Sequence, residues 1–497
     1  MHIALAAILC MAASASCKAS CGCDDGCRPR RLCEGTAGTY SPDGRRIAFT
    51  RAVQGKSRIG VMEIGGCEKS VEWIEKEGNA AHPAWSPDGQ TLAYTYGNET
   101  NTAWAARNGQ TGYHLRLWRK GETPREITSG RYRDYAPSFS PDGSRIYFAT
   151  TRDLGDRPVG YATLSALWSM RPDGSDMRLE FCKGSLNSGS GQSALSRDGR
   201  ILVWAQVDDF QSFWYIRCAR ADTPKLSGSA TPPRMAAYSP RWTKDGRFLV
   251  CTGFLAGDPG WCVYSLNPRS GAVKRICEGR NPDISPDGTR MIYDDGAHLY
   301  ERSLSACDFP SAAAGDATAG PSQAFPPEKV LFSVEKPKYP ANVPLDGRFA
   351  FGSDKTFFVR ARIRAREKQP ARFAEIAMGR YSEHSVGFEL LLDSGVPEFG
   401  VRSGDGTYAK CTFDRRVKEG EEITLTGIRT ADSLYFSGPD GIPASRRLAG
   451  GTLAIDHPKH LTIGEPFAGT DDILSLEIGT GWPKNVKHPF SIAEVFE

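Results

Sequence analysis

Short apolar runs, separated by turns that contain glycine or proline, follow one another along most of the chain. The clearest pattern is a turn of Ser or Thr, a variable residue, Asp and Gly, with apolar residues on both sides. Proline before the aspartate presets one backbone angle and glycine adopts an angle that other residues avoid, so each turn predicts a β-hairpin. The pattern occurs six times, with its aspartate at Asp43, Asp88, Asp142, Asp198, Asp245 and Asp287.

The spacing of these turns predicts the architecture. Successive aspartates lie 42 to 56 residues apart, which is the size of one propeller blade. A second hairpin signal follows in each unit, most clearly around Pro172-Asp173-Gly174, so each unit predicts four strands. No strands precede the first turn and apolar residues at 291–304 follow the last one, which predicts a ring closed by chain from both ends. Taken alone, each Asp-Gly turn needs no role beyond building its hairpin.

The six turns in register resemble the Ser-Pro-Asp-Gly repeat of TolB-type propellers, and the resemblance covers about residues 35–305. It implies a six-bladed β-propeller at 35–304. It also implies that the residues just before each first strand surround the mouth of the central channel. Aligning the copies there gives six polar or aromatic candidates for ligand binding: His82, Tyr135, Gln192, Tyr238, Arg280 and Asn281.

These candidates suit a polar ligand such as a sugar acid or a peptide terminus. Aromatic faces pack against sugar rings, and arginine pairs with carboxylates. The alternative is a channel mouth that is wet and polar without holding any ligand.

Composition changes at residues 305–328, where small residues, Gly and Pro predict a linker. Beyond it, strand patterns resume at turn-punctuated intervals, which predicts a β-sandwich at 329–497. The segment 357–365 alternates, with Phe357 and Val359 on one face and Arg360 on the other. The whole chain is therefore expected to be all-β, a propeller followed by a jelly-roll sandwich.

The second half resembles the laminin-G/concanavalin A-like domains through Gly387–Leu392, Leu434–Phe436 and Leu461–Gly464. The Trp-His-His segment usual in that family is absent, and so is its closing Ile-Asp-Glu-Val-Arg. Sugar and calcium ligands therefore do not carry over. Asp471 and Asp472 are candidates for a calcium site, the alternative being a solvated acidic pair in a loop.

The N-terminal segment predicts export. Residues 3–13 are apolar but too short to span a membrane, and small residues follow, so residues 1–15 are interpreted as a signal peptide. A buried first strand is the alternative, since no Lys or Arg precedes the apolar run.

Five cysteines lie in the next segment, 16–34, and the chain has 14 in all. In an exported chain they favour disulfides over zinc, and a lipid on Cys17 would tether the protein to a membrane.

Charge and motifs exclude several function classes. The net charge of +4 and the lack of long basic runs argue against nucleic acid. No GxSxG, HExxH or P-loop motif is present.

We expect a secreted, periplasmic or cell-surface recognition protein that binds protein or polysaccharide, without catalysis or cofactor apart from the calcium candidates. The alternative is an enzyme of the polyuronide lyase type that would use His82 and Gln192 at the channel mouth.

Overall fold

The structure is a computed structural model that consists almost entirely of β-strands. It describes residues 29–66, 68–75, 78–97, 113–130, 132–152, 165–181, 189–207, 214–224, 227–232, 235–310, 326–337, 341–344, 349–351, 355–364, 371–377, 387–393, 396–402, 408–412, 417–418, 420–430, 433–438, 443–447, 460–463, 473–486 and 495. Helical structure in these ranges is limited to 3₁₀ segments such as Glu68–Ser70 and Ala306–Asp308 and to Val495. The all-β prediction is confirmed.

The first 24 strands form six four-stranded antiparallel sheets. They are β1 (Arg30–Glu34), β2 (Thr36–Tyr40), β3 (Arg46–Val53), β4 (Lys56–Glu63), β5 (Glu72–Trp73), β6 (Asn79–Trp85), β7 (Thr91–Gly97), β8 (His114–Arg119), β9 (Arg125–Glu126), β10 (Asp134–Phe139), β11 (Ile146–Thr150), β12 (Ala166–Met170), β13 (Arg178–Phe181), β14 (Gly189–Leu195), β15 (Ile201–Val207), β16 (Trp214–Arg220), β17 (Gly228–Ser229), β18 (Ala236–Trp242), β19 (Leu249–Phe254), β20 (Cys262–Leu266), β21 (Val273–Glu278), β22 (Arg280–Ile284), β23 (Arg290–Asp294) and β24 (His298–Ser303).

These sheets follow one another around a ring. Sheets 1 to 5 each take four consecutive strands from β2 to β21, and sheet 6 has the order β1-β24-β23-β22. The first strands β2, β6, β10, β14, β18 and β22 contact one another in sequence, and β22 contacts β2. We call residues 30–303 the six-sheet ring. Its last sheet combines the beginning and the end of this segment, because β1 pairs antiparallel with β24.

The repeated Ser/Thr-x-Asp-Gly turns join the first and second strands of every sheet. In each turn the Ser or Thr hydroxyl donates to the aspartate Oδ1 at 2.5 to 2.6 Å. The following glycine has φ between 67° and 81°, the left-handed region that favours glycine. In five turns the serine hydroxyl is the main cause that holds the pKa of the aspartate below its usual value. Local chemistry therefore fixes these hairpins, which is why the sequence predicts them.

The remaining twelve strands form two six-stranded antiparallel sheets. Their orders are β25-β36-β27-β32-β33-β34 and β26-β35-β28-β29-β30-β31. The strands are β25 (Lys329–Glu335), β26 (Ala341–Pro344), β27 (Phe357–Arg364), β28 (Ala371–Ala377), β29 (Gly387–Asp393), β30 (Val396–Arg402), β31 (Tyr408–Thr412), β32 (Glu422–Arg429), β33 (Ser433–Ser437), β34 (Pro443–Arg447), β35 (His460–Ile463) and β36 (Ile473–Thr480).

One apolar core is shared by these two sheets. On β27, Phe357 and Val359 point into it, together with Phe388 and Phe399 of the opposite sheet. Arg360 lies on the outer face and pairs with Glu477, as the alternation predicts. Burying such large aromatic side chains removes about 150–250 Å² of surface each from water, so the shared core holds the two sheets together.

The cysteines form no disulfide within the described part of the chain. Cys33, Cys218, Cys251, Cys262, Cys277 and Cys307 are all free thiols. Cys251, Cys262 and Cys277 lie on neighbouring paired strands of sheet 5, and Cys277 packs into a different core from the other two. Disulfide formation therefore stays a prediction for the other cysteines. Cys17 and most of the Cys-rich segment lie outside the described residues, as does most of the 305–328 linker.

Candidate functional site

A β-bulge interrupts the first strand of every sheet in the ring. The register against the second strand shifts once in each of β2, β6, β10, β14, β18 and β22. Within the shift, five of the six aligned residues take left-handed φ angles between 49° and 54°, namely Ala37, His82, Ala136, Ser239 and Asn281. In sheet 4 the shift falls between Ser190 and Ser193, which places it one residue earlier relative to the turn. Left-handed residues other than glycine cost free energy, so their repetition marks a feature that the surrounding fold imposes.

The bulges also connect neighbouring sheets. The extra residue turns its backbone N–H away from its own ladder and toward the preceding sheet. Ala37 N donates to Asp294 Oδ2 at 2.9 Å, and Asn281 N donates to Thr252 Oγ1 at 2.8 Å. Ala136 N donates to Thr95 Oγ1 at 3.1 Å. These three hydrogen bonds tie sheets together around the axis of the ring.

A cavity of about 210 Å³ lies where the bulges converge. It is lined by all six aligned positions, Ala37, His82, Ala136, Gln192, Ser239 and Asn281, and by Arg241. The structure thus brings together His82, Gln192 and Asn281, three of the residues proposed from sequence.

Arg241 and Asp283 supply charge to this region. Arg241 Nε lies 3.4 Å from Asp283 Oδ1. Asp283 also accepts hydrogen bonds from Thr39 Oγ1 at 3.0 Å and from Tyr40 N at 2.8 Å, both in sheet 1. Burial raises the pKa of Asp283, and the Arg241 cation opposes that rise. Because the Arg241 side chain is 32% exposed, its guanidinium can also meet a ligand from the cavity.

A second polar group, formed by Ser239, Asn281 and Asp294, lies next to Ala37. Ser239 Oγ donates to Asn281 Oδ1 at 3.1 Å, and Asn281 Nδ2 donates to Asp294 Oδ2 at 2.9 Å. Asp294 is 1% exposed, and burial raises the pKa of its carboxyl. This chain of hydrogen bonds orients the Asn281 amide at the cavity surface, because both of its polar atoms are engaged.

His82 is the neutral member of the site. Burial, with a smaller contribution from the Arg241 cation, lowers the pKa of His82 from 6.5 to about 4. Its Nδ1 lies 3.4 Å from Thr95 Oγ1. The imidazole is therefore uncharged at neutral pH and available for hydrogen bonding.

A pH dependence of stability follows from His82. Since the folded pKa lies below the unfolded one, the folded state binds fewer protons, and stability is lost as pH falls from 6.5 toward 4. The free energy of unfolding, measured in urea at pH 7 and pH 4.5, is expected to fall less in His82→Gln than in the wild type. His298→Gln, outside the cavity, serves as the control. An equal fall in wild type and His82→Gln would contradict this account.

The other three predicted residues lie beside the cavity and are not part of its lining. Tyr135 donates its hydroxyl to Ser165 Oγ at 2.8 Å, and Tyr238 packs edge-on against Trp261 with ring centroids 5.1 Å apart. The Arg280 side chain packs against Gly296. Each of them immediately precedes an aligned position in sequence, Ala136, Ser239 or Asn281. Their role in binding stays a prediction.

Sequence reasoning missed Arg241, Asp283 and Asp294. The alignment singled out the position six residues before each turn aspartate and the residue preceding it, whereas Arg241 and Asp283 lie two residues further along their strands. The available signal was that Arg241 and Asp283 occupy the same position in the two repeats, immediately before Trp242 and Ile284.

The structure bears on metal binding only where it describes the chain. Asp471 and Asp472 lie outside the described residues, so the calcium prediction is untested. Across the described ranges, no group of three or more His, Cys, Asp or Glu residues is arranged to hold a metal ion. In the same ranges no helix is long and apolar enough to span a membrane.

Comparison with known proteins identifies the type of ring. Residues 23–230 match the family model described as the TolB beta propeller domain. The Tol-Pal system protein TolB of Francisella tularensis subsp. mediasiatica is 22% identical over 257 residues, which cover 50% of this chain and 54% of that protein. A TolB homolog of Chlorobium luteolum is 30% identical over 112 residues, 22% of this chain and 23% of that protein. The chain spans about half the length, or less, of these curated relatives.

Solved structures with partial similarity include TolB from Acinetobacter baumannii, with a TM-score of 0.38 and 15% identity over 55% of this chain and 63% of that one. Oligogalacturonate lyase from Vibrio parahaemolyticus has a TM-score of 0.40 and 13% identity, over 57% of this chain and 96% of that one.

Proposed function

We propose that this chain, which carries a TolB-type β-propeller domain, is a recognition protein that acts outside the cytoplasm. Its propeller has six blades, and the axial cavity at the bulges binds a polar group of a protein or glycan ligand. The C-terminal sheets form a laminin-G/concanavalin A-like jelly roll that binds carbohydrate or another surface ligand. The apolar N-terminal segment supports the location.

One observation carries the proposal for the propeller. Side chains from different sheets, among them His82, Gln192, Ser239, Arg241 and Asn281, converge on a single cavity. Ligand sites typically combine a concave surface with a few placed polar groups. Here the cation of Arg241 suits a carboxylate, while the amides and the neutral imidazole suit hydroxyl groups.

The lyase alternative has weaker support. His82 and Gln192 both line the cavity, and the low pKa of His82 leaves its imidazole free to ligate a cation. His82 is, however, the single histidine among the described residues that line the cavity, and a metal centre that activates a sugar acid needs more ligands of this kind.

The deciding experiment combines binding with turnover. Purified protein 16–497 is incubated with a panel of soluble and insoluble polysaccharides, and depletion is measured. The supernatants are assayed for new reducing ends and unsaturated products, with and without added Mn²⁺. Binding without products supports the proposal. Products that disappear in His82→Ala would overturn it in favour of the lyase, and absence of both would direct the search to a protein partner.

Arg241 provides the sharpest variant for the cavity. Arg241→Gln removes the positive charge while keeping a polar side chain, so a carboxylate-bearing ligand is expected to bind about tenfold more weakly. Isothermal titration with the ligand retained in the depletion assay measures the change. Arg247→Gln, with a 65% exposed side chain that does not line the cavity, is the control. Unchanged affinity in Arg241→Gln would place the ligand elsewhere.

A further inference from the structure

A second concave surface lies on the edge of sheet 1, apart from the axial cavity. This groove, of about 540 Å³, runs between the β3–β4 hairpin and the 3₁₀ turn Glu68–Ser70. Its side walls are formed by Arg51, Arg58, Glu68, Lys69 and Trp73. None of these residues contributes to the cavity described above.

The groove contains two arginines that are paired across neighbouring strands. Arg51 and Arg58 stand directly opposite each other on β3 and β4. Like charges in directly opposed positions repel and destabilise a sheet. The three cations Arg51, Arg58 and Lys69 face one carboxylate among the lining residues, that of Glu68.

Among the described residues, carboxylates pair with Arg51 and none pairs with Arg58. Arg51 pairs with Glu34, and its Nη1 lies 3.7 Å from Glu68 Oε2. Arg58 Nε is buried and has no hydrogen-bond partner within the part of the chain that the structure describes. An anion that binds the Arg58 guanidinium from the groove would offset the repulsion between the two opposed arginines.

An aromatic wall stands next to these cations. Trp73 is half-buried, and its indole is braced by Phe49 in an edge-on contact with ring centroids 6.2 Å apart. A fixed aromatic ring beside a guanidinium suits a ligand that has both a flat apolar face and an anionic group. A sugar ring bearing a carboxylate or sulfate has both properties. A bare phosphate or sulfate ion would leave Trp73 unused.

We propose that this groove is a second binding site, specific for acidic sugar units of a polysaccharide. Arg58 pairs with the carboxylate or sulfate, Lys69 adds long-range attraction, and Trp73 packs against the sugar ring. The site is independent of the axial cavity, so it holds whether or not the cavity binds a ligand.

The test measures binding of the purified protein to polygalacturonate, dextran sulfate and neutral dextran at 50 and 300 mM salt. Wild type is expected to bind the acidic polymers, more weakly at high salt because of screening, and to leave dextran unbound. Arg58→Gln is expected to weaken this binding about tenfold, while Arg58→Lys restores most of it. Arg247→Gln is the matched charge control, and circular dichroism verifies that each variant is folded.

Several results would overturn the proposal. Unchanged affinity in Arg58→Gln would do so, as would equal binding of neutral dextran or no binding of either acidic polymer. Tighter binding to phosphatidylglycerol vesicles than to the polymers would assign the groove to a lipid surface instead. If Arg241→Gln weakens binding and Arg58→Gln does not, the ligand occupies the axial cavity, which supports the proposed function and refutes the groove.

Discussion

Replacement of Glu301 by alanine is expected to destabilise the six-sheet ring by about 2–4 kcal/mol. Glu301 lies on β24, and its side chain is 9% exposed. It accepts from Arg30 on β1 at 2.8 Å, from Arg290 on β23 at 2.9 Å and from the Tyr40 hydroxyl of sheet 1 at 3.0 Å. One carboxylate therefore joins the N-terminal strand, sheet 6 and sheet 1 at the point where the ring closes.

The loss is large because the partners remain. Tyr40 is buried, and burial followed by the Glu301 charge raises the pKa of its hydroxyl, which therefore stays protonated and needs an acceptor. Urea unfolding followed by tryptophan fluorescence reports on the ring, since all but one of the ten tryptophans precede residue 305. Glu63→Ala, an exposed residue on β4, is the control and is expected to change stability by less than about 0.5 kcal/mol. Equal effects of the two substitutions would contradict this role of Glu301.

Replacement of Asp294 by alanine is expected to cost about 2–3 kcal/mol and to weaken ligand binding in the cavity. Its carboxylate accepts from Ala37 N, Asn281 Nδ2 and Gly296 N, at 2.9, 2.9 and 3.0 Å. Alanine leaves these donors without their acceptor and frees the Asn281 amide to rotate away from the ligand.

Asp294→Asn separates the two effects, because it keeps one acceptor oxygen of similar shape. We expect it to recover part of the stability measured by urea unfolding. Glu63→Ala, at an exposed position on β4, is the control here as well. If Asp294→Ala unfolds at the same urea concentration as the wild type, the hydrogen bonds between sheets 6 and 1 do not support the site.

The sequence predicted the features that depend on local chemistry. Each Ser/Thr-x-Asp-Gly turn is closed by its own hydroxyl, carboxylate and glycine, so its strands could be placed without knowing the rest of the fold. The alternation along β27 likewise placed Phe357 inside and Arg360 outside correctly. Aligning the repeats was enough to bring His82, Gln192 and Asn281 to one cavity.

Features that depend on long-range geometry could not be obtained in this way. Arg241 and Asp283 belong to neighbouring sheets, and only the arrangement of the sheets around the ring brings their side chains together. The contact of Ala37 with Asp294 joins residues 257 positions apart and exists only because the ring closes. Arg51 and Arg58 are separated by a turn in sequence, and only the register of β3 and β4 shows that they face each other.

Hydrogen–deuterium exchange with and without the ligand retained in the depletion assay tests the central claim most directly, because it locates the binding site without any substitution. The account predicts protection in the segments that carry the bulges, at residues 79–85, 189–195, 236–242 and 280–284, which belong to four different sheets and all contribute to the lining of the axial cavity. The account is contradicted if exchange in these four segments is unchanged and the protection is confined to the C-terminal sheets or to the outer strands of the ring.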